Sequence, residues 1–213
     1  MNIYGKKVLL RAMEMEDCEF VRGMFNDPEI ENLVIGWAFP LSKYSQIKWY
    51  ENNNDTHNFR FIIETKKDGA IGVATLLDID WKNRMAQHGI KLAKKDIRGK
   101  GYGTDAVMAI MRYAFDELGL NRLNGSWFPE NIPSKTMYMK CGWKEEGIRR
   151  NYIFKHGEYR DLVETGVLAS DYYQLIEDNH YWDNTDQNKS SVEGGAKPEI
   201  VILSTLKYER WCA

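Results

Sequence analysis

Between residues 98 and 104 the chain reads Arg98-Gly99-Lys100-Gly101-Tyr102-Gly103-Thr104, three glycines alternating with two cations and an aromatic residue ahead of a helical pattern. Glycine lets the main chain turn through conformations closed to other residues and brings its N–H groups close to a ligand. A helix N-terminus behind such a turn adds partial positive charge. Together they suit a pyrophosphate, and Arg98 and Lys100 would add charge-assisted bonds to its oxygens. Two cofactor classes could use the loop. Gly101-x-Gly103-x-x-Ala106 also satisfies the dinucleotide-binding pattern. That reading needs an acid about 20 residues further on to hold a ribose, and the stretch Asn121 to Gly125 contains none.

Downstream lie Asn131-Ile132-Pro133-Ser134 and Tyr138-Met139-Lys140-Cys141-Gly142-Trp143. Asn-x-x-Ser is compatible with ligand contact and with a helix N-cap, and the two roles can coexist. Cys141 has no histidine near it in sequence, which argues against a thiolate nucleophile.

These residues need a scaffold, and the periodicity supplies one. Val8 to Arg11 reads as a strand, Asp17 to Phe25 as a helix stopped by Asn26-Asp27-Pro28, and Ser42 to Asn52 as a second helix. Phe59 to Thr65, Ile71 to Asp80 and Ala86 to Ala93 are β-rich runs, the first two split by Lys66-Lys67-Asp68-Gly69, whose Asp-Gly pair signals a hairpin. The centre is therefore an antiparallel meander, which again disfavours the dinucleotide reading. Thr104 to Leu118 turns helical with Gly119 as its stop, Leu123 to Trp127 is a strand, Pro133 to Lys140 a short helix, and Trp143 to Asn151 and Leu162 to Leu168 further strands. The alternation predicts a mixed α/β sheet.

Composition limits what this scaffold does. The 213 residues are 43% hydrophobic and 28% charged, enough for one substantial core with an appendage. Lys and Arg total 29 against 31 Asp and Glu, so no overall field recruits nucleic acid or an anionic membrane. Cys18, Cys141 and Cys212 are scattered and odd in number, which argues against a disulfide framework or a zinc site; no metal is expected. No run approaches the roughly 20 apolar residues of a membrane helix, and a cytoplasmic location is expected. One domain is expected over residues 1–182, a polar linker over 183–198, and an apolar segment of unassigned role over 199–213.

Taken together, the glycine loop, Asn131 to Ser134, Tyr138 and Gly142-Trp143 make the chain from about Val8 to Tyr173 resemble the GCN5-related N-acetyltransferases. Leu10-Arg11-Ala12-Met13 with Asp17, Asn26-Asp27-Pro28-Glu29, and Asn151-Tyr152 through Gly157-Glu158-Tyr159-Arg160-Asp161 resemble the branch holding ribosomal-protein N-terminal, spermidine and amino-sugar acetyltransferases. The resemblance implies an α/β fold of the α+β type, with a mixed, mostly antiparallel sheet flanked by helices and splayed strands forming the acetyl-coenzyme A cleft. It implies direct transfer of the acetyl group to a primary amine. Ile90, Lys91 and Leu92 would line the pantetheine arm. Arg98, Gly99, Lys100, Gly101, Tyr102, Gly103 and Thr104 would hold the diphosphate, Asn131 and Ser134 would contact the same ligand, and Tyr138 would protonate the leaving sulfur or hydrogen-bond to it.

An amine must lose a proton before it attacks. Asp78 and Asp80, ending a meander strand, are the candidate bases, with Glu31 a third. His88 also lies on the meander, where a lone histidine is more often structural. Glu29, Glu31, Glu51 and Asp55 interspersed with Trp37, Phe39, Trp49 and Tyr50 suit a cationic acceptor, favouring a small molecule such as a polyamine or amino sugar. A protein N-terminus as acceptor, and an acetyl-coenzyme A-binding module without turnover, are the alternatives. A homodimer is a family-level expectation.

Overall fold

The computed structural model describes residues 1–36, 39–52, 56–93, 97 and 99–183. The chain divides into two units, Met1–Tyr181 and Trp182–Ala213. From residue 184 onward, the expected linker and apolar segment lie outside the described residues.

Eight strands form one sheet: β1 (Ile3–Tyr4), β2 (Leu9–Ala12), β3 (Phe59–Thr65), β4 (Gly69–Asp80), β5 (Met85–Leu92), β6 (Arg122–Trp127), β7 (Lys144–Lys155) and β8 (Glu158–Leu168), in the order β1-β2-β3-β4-β5-β6-β8-β7. β1 to β5 run antiparallel to their neighbours, as do β6, β8 and β7; β5 and β6 are parallel. This is the mixed, mostly antiparallel sheet expected, and it excludes the parallel central sheet that the dinucleotide reading requires.

The helices are α1 (Cys18–Phe25), α2 (Pro28–Leu33), α3 (Lys43–Glu51), α4 (Tyr102–Arg112), α5 (Ile132–Lys140) and α6 (Ala169–Asn179). Strand side chains alternate between the two faces. Phe61 meets Tyr113, just beyond α4, at 5.8 Å, while neighbouring Arg60 lies over the Trp49 ring of α3, so both faces are covered. The sheet contributes Leu10, Ile62, Ile63, Ile71 and Leu76 to the core, and α4 adds Val107, Met108, Ile110 and Met111.

Asn26-Asp27-Pro28 does more than stop α1. Asp27 accepts hydrogen bonds from the main-chain N–H groups of Glu29 and Ile30, and Pro28 occupies the first helical position, where its missing N–H costs nothing. The same triplet therefore starts α2.

One buried carboxylate fixes where α4 begins. Asp105, in the first turn of α4, accepts from the main-chain N–H groups of Lys6 (2.9 Å), Lys7 (2.6 Å) and Val8 (3.0 Å) and from the Tyr181 hydroxyl (2.9 Å). An amide here would turn an NH2 group towards donors. Asp105→Asn is expected to cost about 2 kcal/mol, since a buried donor left unmatched costs about 1–3 kcal/mol. Thermal melting should show a Tm lower by about 4–8 °C; an unchanged Tm would mean that the N-terminal segment does not depend on this clamp.

Candidate active site

β5 and β6 pair only at Met85–Arg122, Ala86–Leu123 and Gln87–Asn124. Beyond Gln87, β5 stays on β4 as far as Leu92 opposite Gly72, while β6 stays on β8 as far as Trp127 opposite Val163. The two strands thus part after three pairs, exposing main-chain groups along the wedge.

The wedge opens into a cleft of about 710 Å³. Ile90, Lys91 and Leu92 form one wall, Gly99, Gly101, Tyr102, Gly103 and Thr104 the floor, and Asn131 and Ser134 the opposite wall with Met137 and Lys140 of α5. Ten of the sequence-derived binding residues therefore meet in one place. Lys100 is exposed at the rim and is absent from the lining; Arg98 lies outside the described residues.

Gly101 has φ +82° and Gly99 φ +77°, left-handed conformations that L side chains rarely adopt. They aim the turn so that Gly101 caps α4, and Asp105 N–H returns to the Gly101 carbonyl at 3.0 Å. Gly103 sits at a close approach of α4 to α5: a Cβ there would stand 2.8 Å from the Met137 sulfur and would displace the end of that side chain. Asn131 caps α5, accepting from the Ser134 N–H at 3.2 Å, while both residues also line the cleft. One segment therefore supplies both the cap of α5 and part of the cleft wall.

Two features of the cleft escape the sequence. Lys7 donates through Nζ to the Lys100 carbonyl at 2.9 Å and lies 3.0 Å from where a Gly101 Cβ would be, placing a third cation on the glycine turn. Nothing in the local pattern links residues 7 and 101. Ile30, Leu33 and Val34, on and just after α2, cover the cleft from another side. The Asp27-Pro28 start signal could have revealed that helix.

Tyr138 is not a lining residue. Its ring is 3% exposed, stacked on Trp127 at 5.5 Å, edge-on to Trp143 at 4.8 Å, and 5.8 Å from His88. Burial, then the nearby Cys141 thiol, raises its pKa well above the usual phenol range, so it holds its proton at neutral pH. Burial likewise pushes the Cys141 thiol up to about 12, which argues further against a thiolate nucleophile. Lys91, half-buried in the wall, has its ammonium lowered to about 8 by burial and then by the Arg60 charge.

The acids fall elsewhere. Asp80 pairs with Met85, at the end of β5 that is zipped to β6, and its carboxylate closes the Trp81–Arg84 turn by accepting from Asn83 N–H (2.9 Å) and Nδ2 (2.6 Å). Those bonds hold its pKa below the ordinary value. Asp78, at φ +50° in the bulge before it, is exposed. Neither lines the cleft, because β4 carries them past the point where β5 and β6 separate. Glu31 is committed to Lys155 at 2.8 Å and faces His156 at 3.2 Å. Trp49 packs edge-on against Phe25 as a helix-face aromatic; Trp37 and Asp55 lie outside the described residues.

His88 is buried, and that burial lowers its pKa to about 4. The imidazole is therefore neutral when folded but titrates near 6.5 when unfolded. The stability this provides is complete above pH 6.5 and disappears as pH falls towards 4, amounting to about 3 kcal/mol at 1.36 kcal/mol per unit. Urea unfolding of the parent should weaken across this window, and His88→Leu should remove that part of the slope; an identical slope in both proteins would show that another group carries the acid sensitivity.

The Acetyltransferase (GNAT) domain matches residues 7–144. A probable N-acetyltransferase, YjcK, of Bacillus subtilis is 36% identical over 179 residues, covering 78% of this chain and 97% of the relative. The spermidine N(1)-acetyltransferase of Vibrio cholerae is 27% identical over 176 residues, covering 81% of this chain and 99% of the relative. A crystal structure of spermidine N-acetyltransferase from Vibrio cholerae in complex with CoA and spermine superposes with a TM-score of 0.72 at 26% identity, covering 78% of this chain and 98% of that one. The parted strands, the glycine turn capping α4 and these matches lead to one conclusion: the chain belongs to the GNAT family and is an acetyl-coenzyme A-dependent acyltransferase.

Proposed function

We propose that the protein transfers the acetyl group of acetyl-coenzyme A to the primary amine of a small molecule, a polyamine or an amino sugar, with Tyr138 as the acid that protonates the departing sulfur. The observation that carries this reading is the wedge between β5 and β6, which opens directly onto the left-handed glycine turn at the start of α4. The turn suits a diphosphate because the side-chain position of Gly99 is open and Lys7 adds a cation beside Gly101. The unpaired edge of β5 at Ile90 to Leu92 offers main-chain groups to the pantetheine amides, which would fix the thioester near the fork.

In such a site most of the rate comes from holding amine and thioester together while fixed donors face the developing charge. A neutral amine forms the new C–N bond, the C–S bond breaks, and Tyr138 gives its proton to sulfur and regains one that the amine nitrogen sheds. The small-molecule acceptor is supported by the similarity to spermidine N(1)-acetyltransferase.

A thiol-release assay with spermidine, glucosamine and a peptide with a free N-terminus tests the acceptor class. A small amine is expected to exceed the peptide in kcat/KM by at least about 100-fold, equivalent to about 2.7 kcal/mol of transition-state discrimination. Preference for the peptide would replace the small-molecule reading with protein N-terminal acetylation.

A further inference from the structure

Where the sheet forks, His88 and Trp127 each pack against Tyr138, and each carries a buried polar atom that has no hydrogen-bond partner among the described residues. His88 is the first residue of β5 beyond the last β5–β6 pair, Trp127 ends β6, and Tyr138 comes from α5. The Tyr138 ring touches both of the others, at 5.8 Å from His88 and 5.5 Å from Trp127 between centroids.

Their hydrogen-bonding capacities are complementary. His88 Nδ1 stands 3.1 Å from the Thr75 carbonyl, which can only accept, so Nδ1 carries the hydrogen and Nε2 presents a lone pair. That Nε2 is buried without a donor, and the Trp127 Nε1–H is buried without an acceptor. Buried polar atoms are rarely left unmatched, and where two of opposite type lie within one cluster, an internal water commonly satisfies both. The Tyr138 hydroxyl, which can donate and accept, supplies the third corner.

We propose that one internal water joins the three residues, accepting from Trp127 Nε1–H and donating one hydrogen to His88 Nε2 and the other to the Tyr138 oxygen. This rests on the reading of Tyr138 as the acid. With its oxygen occupied as an acceptor, the phenol keeps its own hydrogen free to point into the wedge at the thioester sulfur. As that O–H bond breaks and S–H forms, the water's hydrogen already faces the new phenolate, so negative charge develops against a donor set in advance. His88 and Trp127 are thus positioning residues: neither touches the reacting atoms. The neutrality of His88 is part of the arrangement, because an imidazolium would turn a second donor towards the water and reverse its orientation.

The test compares His88→Gln, whose carbonyl can stand in for the Nε2 acceptor, with His88→Leu, and adds Trp127→Phe. His88→Leu and Trp127→Phe should each lower kcat about 10- to 30-fold while the KM for acetyl-coenzyme A stays within about twofold, the signature of an interaction made in the transition state. His88→Gln should recover to within about threefold of the parent. In a Tyr138→Phe background, His88→Leu should change kcat by less than about twofold, because the coupling between neighbouring groups is then already lost. An equal loss in both backgrounds, or a glutamine no better than the leucine, would overturn the water-mediated role. Unchanged turnover in Tyr138→Phe alone would instead remove the acid assignment, whatever the His88 variants do. If the leucine variant does not fold, the glutamine and Trp127→Phe comparisons stand, and a high-resolution crystal structure of the parent decides: water within hydrogen-bonding distance of His88 Nε2, Trp127 Nε1 and the Tyr138 oxygen is expected, and a dry cluster would overturn the proposal.

Discussion

Gly101→Val is expected to weaken acetyl-coenzyme A binding by about 10³-fold, or about 4 kcal/mol. Two effects add. At φ +82° a β-branched side chain is a conformational outlier, so the turn must rearrange and its N–H groups re-aim. A Cβ would also stand 3.0 Å from the Lys7 ammonium, which must swing away and take a cation from the site. Lys7 is flexible and can move; the backbone is the stricter constraint. Gly157, at φ +84° in the β7–β8 turn, shares the strain but lies away from the cleft. Gly157→Val therefore serves as the control, expected to bind within about twofold of the parent despite a comparable loss of stability. Titration calorimetry separates the two variants. If Gly101→Val binds as the parent does, the glycine turn is not the diphosphate site.

The parts of the site that lie close together in sequence were legible, and those assembled from a distance were not. The glycine turn, the helix behind it and the Asn131 to Tyr138 segment carry their own turn and capping chemistry, so their types and spacing reveal them. The end of β5 was legible as a strand, but its separation from β6 after Gln87 is set by register between residues 37 positions apart and leaves no local mark. Lys7 reaches the turn only because Asp105 binds the main chain at Lys6, Lys7 and Val8, a contact between residues nearly 100 positions apart. The candidate bases show the opposite error. Asp78 and Asp80 are in the right strand, yet a strand's length decides whether its end reaches the site, and β4 runs past the fork before it presents them. At α2 the same triplet carries two signals: proline ends the helix before it, and aspartate before proline equally begins the next. His88 looked merely structural, and only the burial of its Nε2 without a donor distinguishes it from a satisfied core histidine.

Tyr138→Phe is expected to lower kcat by about 10³-fold, within the range of about 10²–10⁴ seen when a general acid is removed. The change isolates chemistry from packing, because phenylalanine keeps the ring stacked on Trp127 and edge-on to Trp143 and deletes only the hydroxyl. Tyr138 is not among the residues lining the cleft, so the Kd for acetyl-coenzyme A should stay within about threefold. The high pKa of the phenol sharpens the expectation. A group that holds its proton throughout the neutral range is present as the acid at every working pH, but burial also makes that proton harder to release, so its transfer to sulfur must be coupled to the return of a proton from the amine nitrogen. Activity of the parent should therefore show no alkaline loss assignable to Tyr138 below pH 10, near the ordinary phenol pKa. A faster-leaving thioester, whose thiolate needs no proton to depart, should suffer less from the substitution than acetyl-coenzyme A does. Equal losses with both thioesters would assign Tyr138 to packing at the fork and leave the leaving group to be protonated by solvent.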